Sequence, residues 1–443
     1  MACSVVRAPI LRNSSVRHYA AVAAAAQCSA AKGPESQVLS NKIIIAAIEN
    51  NSPVTQISIL FKAGSRNETY DTQGTAHLLR VAAGLSSKRS SNFGITRNIQ
   101  QLGGNLTAVS DRESIAYTLQ VTRDHVDAAL SFLEDAATKQ VFKPWEVSDQ
   151  FPRLRYELSL IPDTARLVEL LHKAAFRTGL GYSLYCPKRQ VGKISNETLQ
   201  HFVNTWFSGS RCAVVGTGVA LSDLQCFAQG LEISSGDTCN EASKYYGGEL
   251  RKERNSPLAS VAVAVEGASL NNEKDALAFA ILQRAAGTGP RVKWGSSIAP
   301  LHKAVAAAAG QDPFAVTAFN ATYSDSGLFG FILSAPGNIA GPLTKAAYSW
   351  LRSPKLSESD ITRGKNDLKA AVLAASENGN TQLECLGQQA LLKGRVSSVA
   401  SIAAEIDKIT SSDVKSVVGK LSGKVSLAAI GDLSTVPYAD QLC

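Results

Sequence analysis

Long apolar runs are missing from this chain. No stretch approaches the roughly 18 residues a membrane-spanning helix needs. The nearest are AAVAAAA (20–26) and GLFGFIL (327–333), so any membrane contact is expected to come through partners. The cysteines lack pattern. Eight of them, at 3, 28, 186, 212, 226, 239, 385 and 443, form no Cys-x-x-Cys pair, no zinc-finger spacing and no haem-attachment Cys-x-x-Cys-His. Scattered cysteines fit a reduced compartment, where they serve as small hydrophobes. A dense Lys/Arg stripe is absent too, which argues against a nucleic-acid partner. There is also no Gly-x-x-x-x-Gly-Lys-Ser/Thr phosphate loop. Finally, Asp and Glu are absent from residues 1–19, where Arg7, Arg12 and Arg17 sit among several serines. That is the composition of a mitochondrial presequence, with a cut expected near Tyr19/Ala20. Its removal takes three of the charges and lowers the net charge from +8 to about +5.

What remains reads as a soluble globular protein. Hydrophobic residues make up 45% and charged residues 19% of the chain, and 443 residues exceed one comfortable core, so at least two domains are expected. After a polar extension (20–40), two strand-like stretches (41–49 and 53–64) flank the turn Asn50-Asn51-Ser52-Pro53. A helix follows, reaching Gly84, then a second short helix over 92–104. Alternating residues over 105–123 predict a hairpin turning at Ser110-Asp111-Arg112-Glu113. Next come a helix opened by Asp124, one long helix from Lys143 to Leu160, and another after Pro162 whose His172 is expected to pack against its neighbours. A strand at 211–218 closes this first unit (41–230).

A polar stretch (231–257), read as a linker plus a first strand, follows, and then the pattern repeats. VAVAVEGASLNNEKDALAFAILQRAAG (261–287) retraces ISILFKAGSRNETYDTQGTAHLLRVAAG at an offset of 203, laying Gly64 on Gly267 and Gly84 on Gly287. A second hairpin (318–333), a second pair of helices (361–394) and a strand (424–431) keep step. The chain is therefore expected to be a tandem of two similar α+β domains, 41–230 and 258–443, each a mainly antiparallel sheet covered by helices.

Residues 74–84, Gly-Thr-Ala-His-Leu-Leu-Arg-Val-Ala-Ala-Gly, are the point around which the first unit is built. They follow a strand ending Lys-Ala-Gly-Ser-Arg and an acidic turn. In this setting the chain resembles the pitrilysin or mitochondrial-processing-peptidase family, whose members carry His-x-x-Glu-His here. Two histidines one helical turn apart grip a zinc ion, and the glutamate is the general base for the metal-bound water. This chain has His77-Leu78-Leu79-Arg80-Val81. One ligand type survives, the base has become a cation, and the second ligand has become aliphatic. The resemblance also implies a third ligand about 77 residues beyond the second histidine position, which lands on Leu158. Glu157 is adjacent but one helical step, about 100°, away. The degenerate positions are thus His77, Arg80, Val81 and Leu158, and the second copy has Ala280 in place of His77. No metal, no cofactor and no peptide hydrolysis are expected.

The family's mitochondrial members include the two processing-peptidase subunits and the two core subunits of ubiquinol–cytochrome c reductase. The loop AAGTGPRVKWGSS (285–297) is shorter than the nearly all-glycine loop of a processing-peptidase α subunit. With FNATYSDSGLFG (319–330) it resembles the core-subunit branch. That resemblance implies a non-catalytic scaffold, peripheral on the matrix side of the mitochondrial inner membrane and needed for assembly. The partners it implies are core protein 1, cytochrome b, cytochrome c1, the iron–sulfur protein and small subunits, within a dimeric complex. The alternative is a non-catalytic subunit that binds presequences for an active processing peptidase. Arg291 and Lys293 in the short loop disfavour that, since presequences are basic.

Overall fold

The computed structural model describes residues 33–236, 238–289 and 299–442. The presequence, the proposed cut and residues 290–298 of the glycine loop lie outside the described residues.

In the first half, β1 (Glu35–Val38), β2 (Ile44–Ile48) and β3 (Val54–Phe61) lead into α1 (Thr75–Val81) and α2 (Asn92–Gln101). The hairpin β4 (Asn105–Ser110) and β5 (Ile115–Thr122) follows. Then come α3 (Val126–Thr138), α4 (Pro144–Ser148), α5 (Phe151–Leu160), α6 (Asp163–Phe176), α7 (Asn196–Trp206), β6 (Cys212–Thr217) and α8 (Leu221–Gln229). In the second half, β7 (Gly248–Glu253) and β8 (Leu258–Glu266) precede α9 (Glu273–Ala286) and α10 (Pro300–Ala309). After the hairpin β9 (Ala315–Thr322) and β10 (Gly327–Pro336) come α11 (Ala340–Arg352), α12 (Glu358–Glu377), α13 (Gly379–Lys393), α14 (Val399–Lys408), α15 (Ser411–Gly419) and β11 (Ser426–Gly431).

Both sheets follow one plan. The first has the order β1-β2-β6-β3-β5-β4 and the second β7-β11-β8-β10-β9. In each, one ladder is parallel (β2 with β6, β7 with β11) and the rest are antiparallel. The α+β architecture and its internal repetition are therefore as expected from sequence. Two local readings differ. β1 lies inside the stretch read as a polar lead-in; its residues Glu-Ser-Gln-Val are all exposed, so this edge strand has no apolar face to announce it. The single long helix expected over 143–160 is two. Pro152, near the start of α5, lacks the N–H an unbroken helix would need, and the chain restarts after Asp149 and Gln150.

Strand alternation gives each sheet two buried faces. On β3, Ile57, Ile59 and Phe61 enter the core under the first half's own helices, while Leu60 faces the other way. That second face is covered by α13 from the other half: Leu383, Leu386, Ala390 and Leu391 pack on Ala46, Leu60, Ala213 and Val215. The arrangement is reciprocated. From the first half, α6 lays Leu167, Leu171, Ala175 and Phe176 on Ala262, Ala264, Ala428 and Ile430 of the second sheet. Each half thus lends one helix to the other's sheet, and neither buries both faces alone.

A polar clamp joins the halves where the two hairpin turns meet. The Arg66 guanidinium donates to Glu113 Oε1 (2.6 Å) in the first turn, and to Asp325 Oδ1 (2.9 Å), Asp325 Oδ2 (2.5 Å) and Ser324 Oγ (3.1 Å) in the second. It also reaches the Glu241 carbonyl (2.7 Å) in the segment between the halves. Nearby, the packing expected of the α6 histidine takes a defined form: His172 lies between the Val168 carbonyl at Nδ1 (2.7 Å) and the Tyr323 hydroxyl at Nε2 (2.7 Å). Of the described cysteines, Cys186 and Cys212 are buried, whereas Cys226, Cys239 and Cys385 are exposed, so the small-hydrophobe reading holds for only two of them.

Candidate functional site

The N-terminus of α1 is held by a buried carboxylate. Glu68, in the acidic turn, accepts from the Gly74 N–H (2.9 Å) and the Ala76 N–H (2.8 Å), satisfying two donors that have no partner within the helix. Burial pushes its carboxyl up to about 8, against those two bonds. Gly74 is left-handed (φ +95°), and a Cβ there would lie 2.5 Å from Cys186 Sγ and 2.7 Å from its Cα. The start of the helix and the Cys186 loop can therefore touch only through a glycine.

That contact fixes His77. The Cys186 N–H donates to His77 Nδ1 (3.1 Å), so the ring proton sits on Nε2, which is 3.2 Å from Glu157 Oε2. The ring is 2% exposed and meets Tyr185 edge-on at 5.8 Å. Burial, reinforced by the charge of Arg80, pulls the imidazole below its ordinary value against the pull of Glu157. His77 is neutral and uses Nε2 as a donor. Its metal-binding lone pair is spent.

Arg80, one turn along α1, pairs with the same Glu157 Oε2, and Arg153 Nε reaches Oε1 at 3.3 Å. Burial alone would raise the Glu157 carboxyl; the bond and charge of Arg80, with help from His77, outweigh it and hold the group below the ordinary carboxylate range. A guanidinium supplies here the positive charge that a metal would supply to this carboxylate.

The structure brings His77 and Arg80 onto one carboxylate, but that carboxylate is not at the counted fourth position. Glu157 faces His77, whereas Leu158 is buried, 8% exposed, in the packing under α5. The spacing is approximate, and one residue less than the count reaches Glu157. The one-step rotation of about 100° turns Glu157 toward His77 and Leu158 away from it. Val81 is 2% exposed and part of the first core. Sequence reading missed Glu68, Cys186 and Glu157 as parts of this site. Only Glu157, next to the counted position, carried a usable signal.

These residues do not fit zinc. The one imidazole is committed on both nitrogens, the base position is a cation, and Val81 offers no donor. Among the described residues, no group of three or more His, Cys, Asp and Glu stands close enough to hold a metal ion. The equivalent position in α9 is Ala280.

Comparison with known proteins defines the class. The family profile described as "Insulinase (Peptidase family M16)" matches residues 44–188, and that described as "Peptidase M16 inactive domain" matches 193–368. The chain belongs to peptidase family M16. Within that family it is 39% identical over 414 residues to the human cytochrome b-c1 complex subunit 2, mitochondrial, covering 91% of each chain. The rat protein of the same name is 38% identical over 413 residues, again 91% of each. The mitochondrial-processing peptidase subunit alpha-2 of Dictyostelium discoideum is more distant, at 30% identity over 426 residues, 92% of this chain and 94% of its own.

Proposed function

We propose that this chain is a non-catalytic core subunit of mitochondrial ubiquinol–cytochrome c reductase, a scaffold for assembly on the matrix side of the inner membrane. One observation carries the loss of chemistry: Arg80, paired with Glu157, stands where a metallopeptidase of this family needs its general base. A fixed guanidinium cannot take a proton from water, and its charge opposes a dication. Similarity to the b-c1 subunit 2 proteins along 91% of both chains supports the assignment to that complex.

The reading extends to partners: core protein 1, cytochrome b, cytochrome c1, the iron–sulfur protein and small subunits, in a dimeric complex. No helix among the described residues is long and apolar enough to cross a membrane, which supports attachment through those subunits. The interlocked halves suit a scaffold, because the exchanged helices and the Arg66 clamp make the two sheets move together. Similarity to processing-peptidase α subunits supports a second reading, a presequence-binding subunit without chemistry of its own.

Depletion and rescue separate these. Cells lacking the chain should lose assembled reductase on native gels while precursor cleavage continues, and a His77→Ala chain should restore assembly in full. Accumulation of uncleaved precursors with reductase assembly intact would favour the second reading. Failure of a His77→Ala chain that accumulates and melts like wild type to restore a function that wild type restores would revive a chemical role for this site.

A further inference from the structure

The second sheet ends in an unpaired strand. In the ladder β7 pairs with β11 alone, and among the described residues no backbone–backbone bond reaches its other edge. Its Glu249 and Arg251 side chains hold the C-terminal segment, Glu249 Oε2 accepting from the Ala439 N–H (2.8 Å) and Arg251 donating to the Val436 and Pro437 carbonyls (2.7 and 2.6 Å). The register sets Leu250 opposite Ala428 and Lys252 opposite Ile430, placing Lys252 on the face covered by α6. α6 runs antiparallel beside β7. At its start, Asp163 Oδ1 meets Arg254 at 2.6 Å and Arg166 at 4.0 Å; near its end, the Ala175 carbonyl accepts from the Tyr246 N–H at 2.8 Å.

Counting the strand's own acids, Glu249 (paired with Arg251) and the exposed Glu253, both ends of this edge still carry more cations than carboxylates. At the far end, partial burial and then the charges of Arg254, Arg166 and Lys188 lower the Lys252 pKa, with Asp163 opposing them. At the near end, the Tyr246 ring lies under Arg177 at 4.7 Å and near Lys244 at 5.4 Å. Lys188, Lys252, Arg177 and Lys244 have no carboxylate partner among the described residues. A six-residue strand spans about 20 Å, so the two cation groups sit one strand length apart.

We propose that the free edge of β7 receives an acidic, extended segment of a partner polypeptide, whose carboxylates meet Arg177 and Lys244 at one end and Lys188, Lys252 and Arg254 at the other. The unpaired backbone supplies directional hydrogen bonds, as in strand addition, and the cations set the sign of the partner. A second copy of this chain is disfavoured, since like charges would face each other along the edge. The surface is a property of the chain itself and does not depend on which complex contains it.

The test is zero-length carbodiimide cross-linking of the native complex, with hydrogen exchange on the complex and on the purified chain. The expected result joins Lys188, Lys244 or Lys252 to Asp or Glu of another polypeptide, and slows exchange of the β7 amides about tenfold or more on assembly. A chain carrying Lys188→Glu and Lys252→Glu, both surface positions, should keep its circular dichroism and lose these links. Equal β7 exchange in the free and assembled states, with no inter-chain link at the three lysines, overturns the proposal. Phosphatidylglycerol vesicles test the competing occupant: cosedimentation of the purified chain that the double variant abolishes, with no inter-chain link in the complex, assigns the cations to lipid phosphates and also overturns it.

Discussion

Replacing Arg66 with Met should loosen the two halves more than any other single change in their interface. The guanidinium binds carboxylates from both hairpin turns, and the side chains involved are 5% (Arg66), 5% (Glu113) and 24% (Asp325) exposed. Methionine fills much of the arginine's volume, so the cavity contribution is small. The main cost is Glu113, left charged and buried without its cation. Breaking a buried pair from one side costs about 3–5 kcal/mol, and the exposed flank of Asp325 favours the lower end. Two amides report on it locally: Ser324 N–H donates to Glu113 Oε2 at 2.9 Å and Ser243 N–H to Asp325 Oδ2 at 2.7 Å. Both should exchange faster in Arg66→Met, while the interior of β3 stays protected. Urea unfolding of the purified chain should show the loss of stability, and adding Glu113→Gln should recover a large part of it. A cost below about 1 kcal/mol, the range of exposed pairs, with unchanged exchange at Ser243 and Ser324, would refute the reasoning.

Three further changes probe other parts of the account. Glu68 titrates at about 8 when folded against an ordinary 4.5; the folded state therefore holds its proton more tightly, and this group's contribution falls as pH rises from 4.5 to 8, by at most on the order of 4–5 kcal/mol. Glu68→Gln removes that slope, so its stability relative to wild type should improve across this window in chemical unfolding at several pH values. Arg80→Glu with Val81→His restores the pentad in sequence, but His77 Nδ1 still accepts from the Cys186 N–H, so elemental analysis of the purified variant should find well below one zinc per chain; stoichiometric zinc would show that this bond yields to a metal. Gly364→Ala should destabilise by about 1–3 kcal/mol despite alanine's better helix propensity. Its Cβ would stand 2.9 Å from both Ala285 N and Ile281 O of α9, backbone atoms that cannot swing aside. Thermal unfolding reads the shift.

The repeat was legible because it is written in local chemistry. Gly64 and Gly267 each follow an inner strand of their sheet, β3 and β8, and the hairpins alternate as strands with one face turned to a core must. The broken pentad was legible too, since His77, Arg80 and Val81 share one short helix. Glu157 was misjudged because an approximate spacing cannot choose between neighbours on one helix, and a one-residue error turns the chosen side chain by about 100°. The exchange of α6 and α13 left no trace in the sequence: an apolar helix face says that it is buried, not against which sheet. The Arg66 clamp joins residues 259 positions apart, and no pattern short of the fold connects them.

The central claim, a scaffold built on a peptidase fold without its chemistry, is tested most directly by native mass spectrometry. The chain would be recovered through a tag from detergent-solubilised mitochondria, with metal analysis on the same sample. The account expects cytochrome b, cytochrome c1 and the iron–sulfur protein in one assembly with this chain, and no zinc assignable to it. A haem-free soluble pair of this chain with a zinc-bearing peptidase subunit would contradict it.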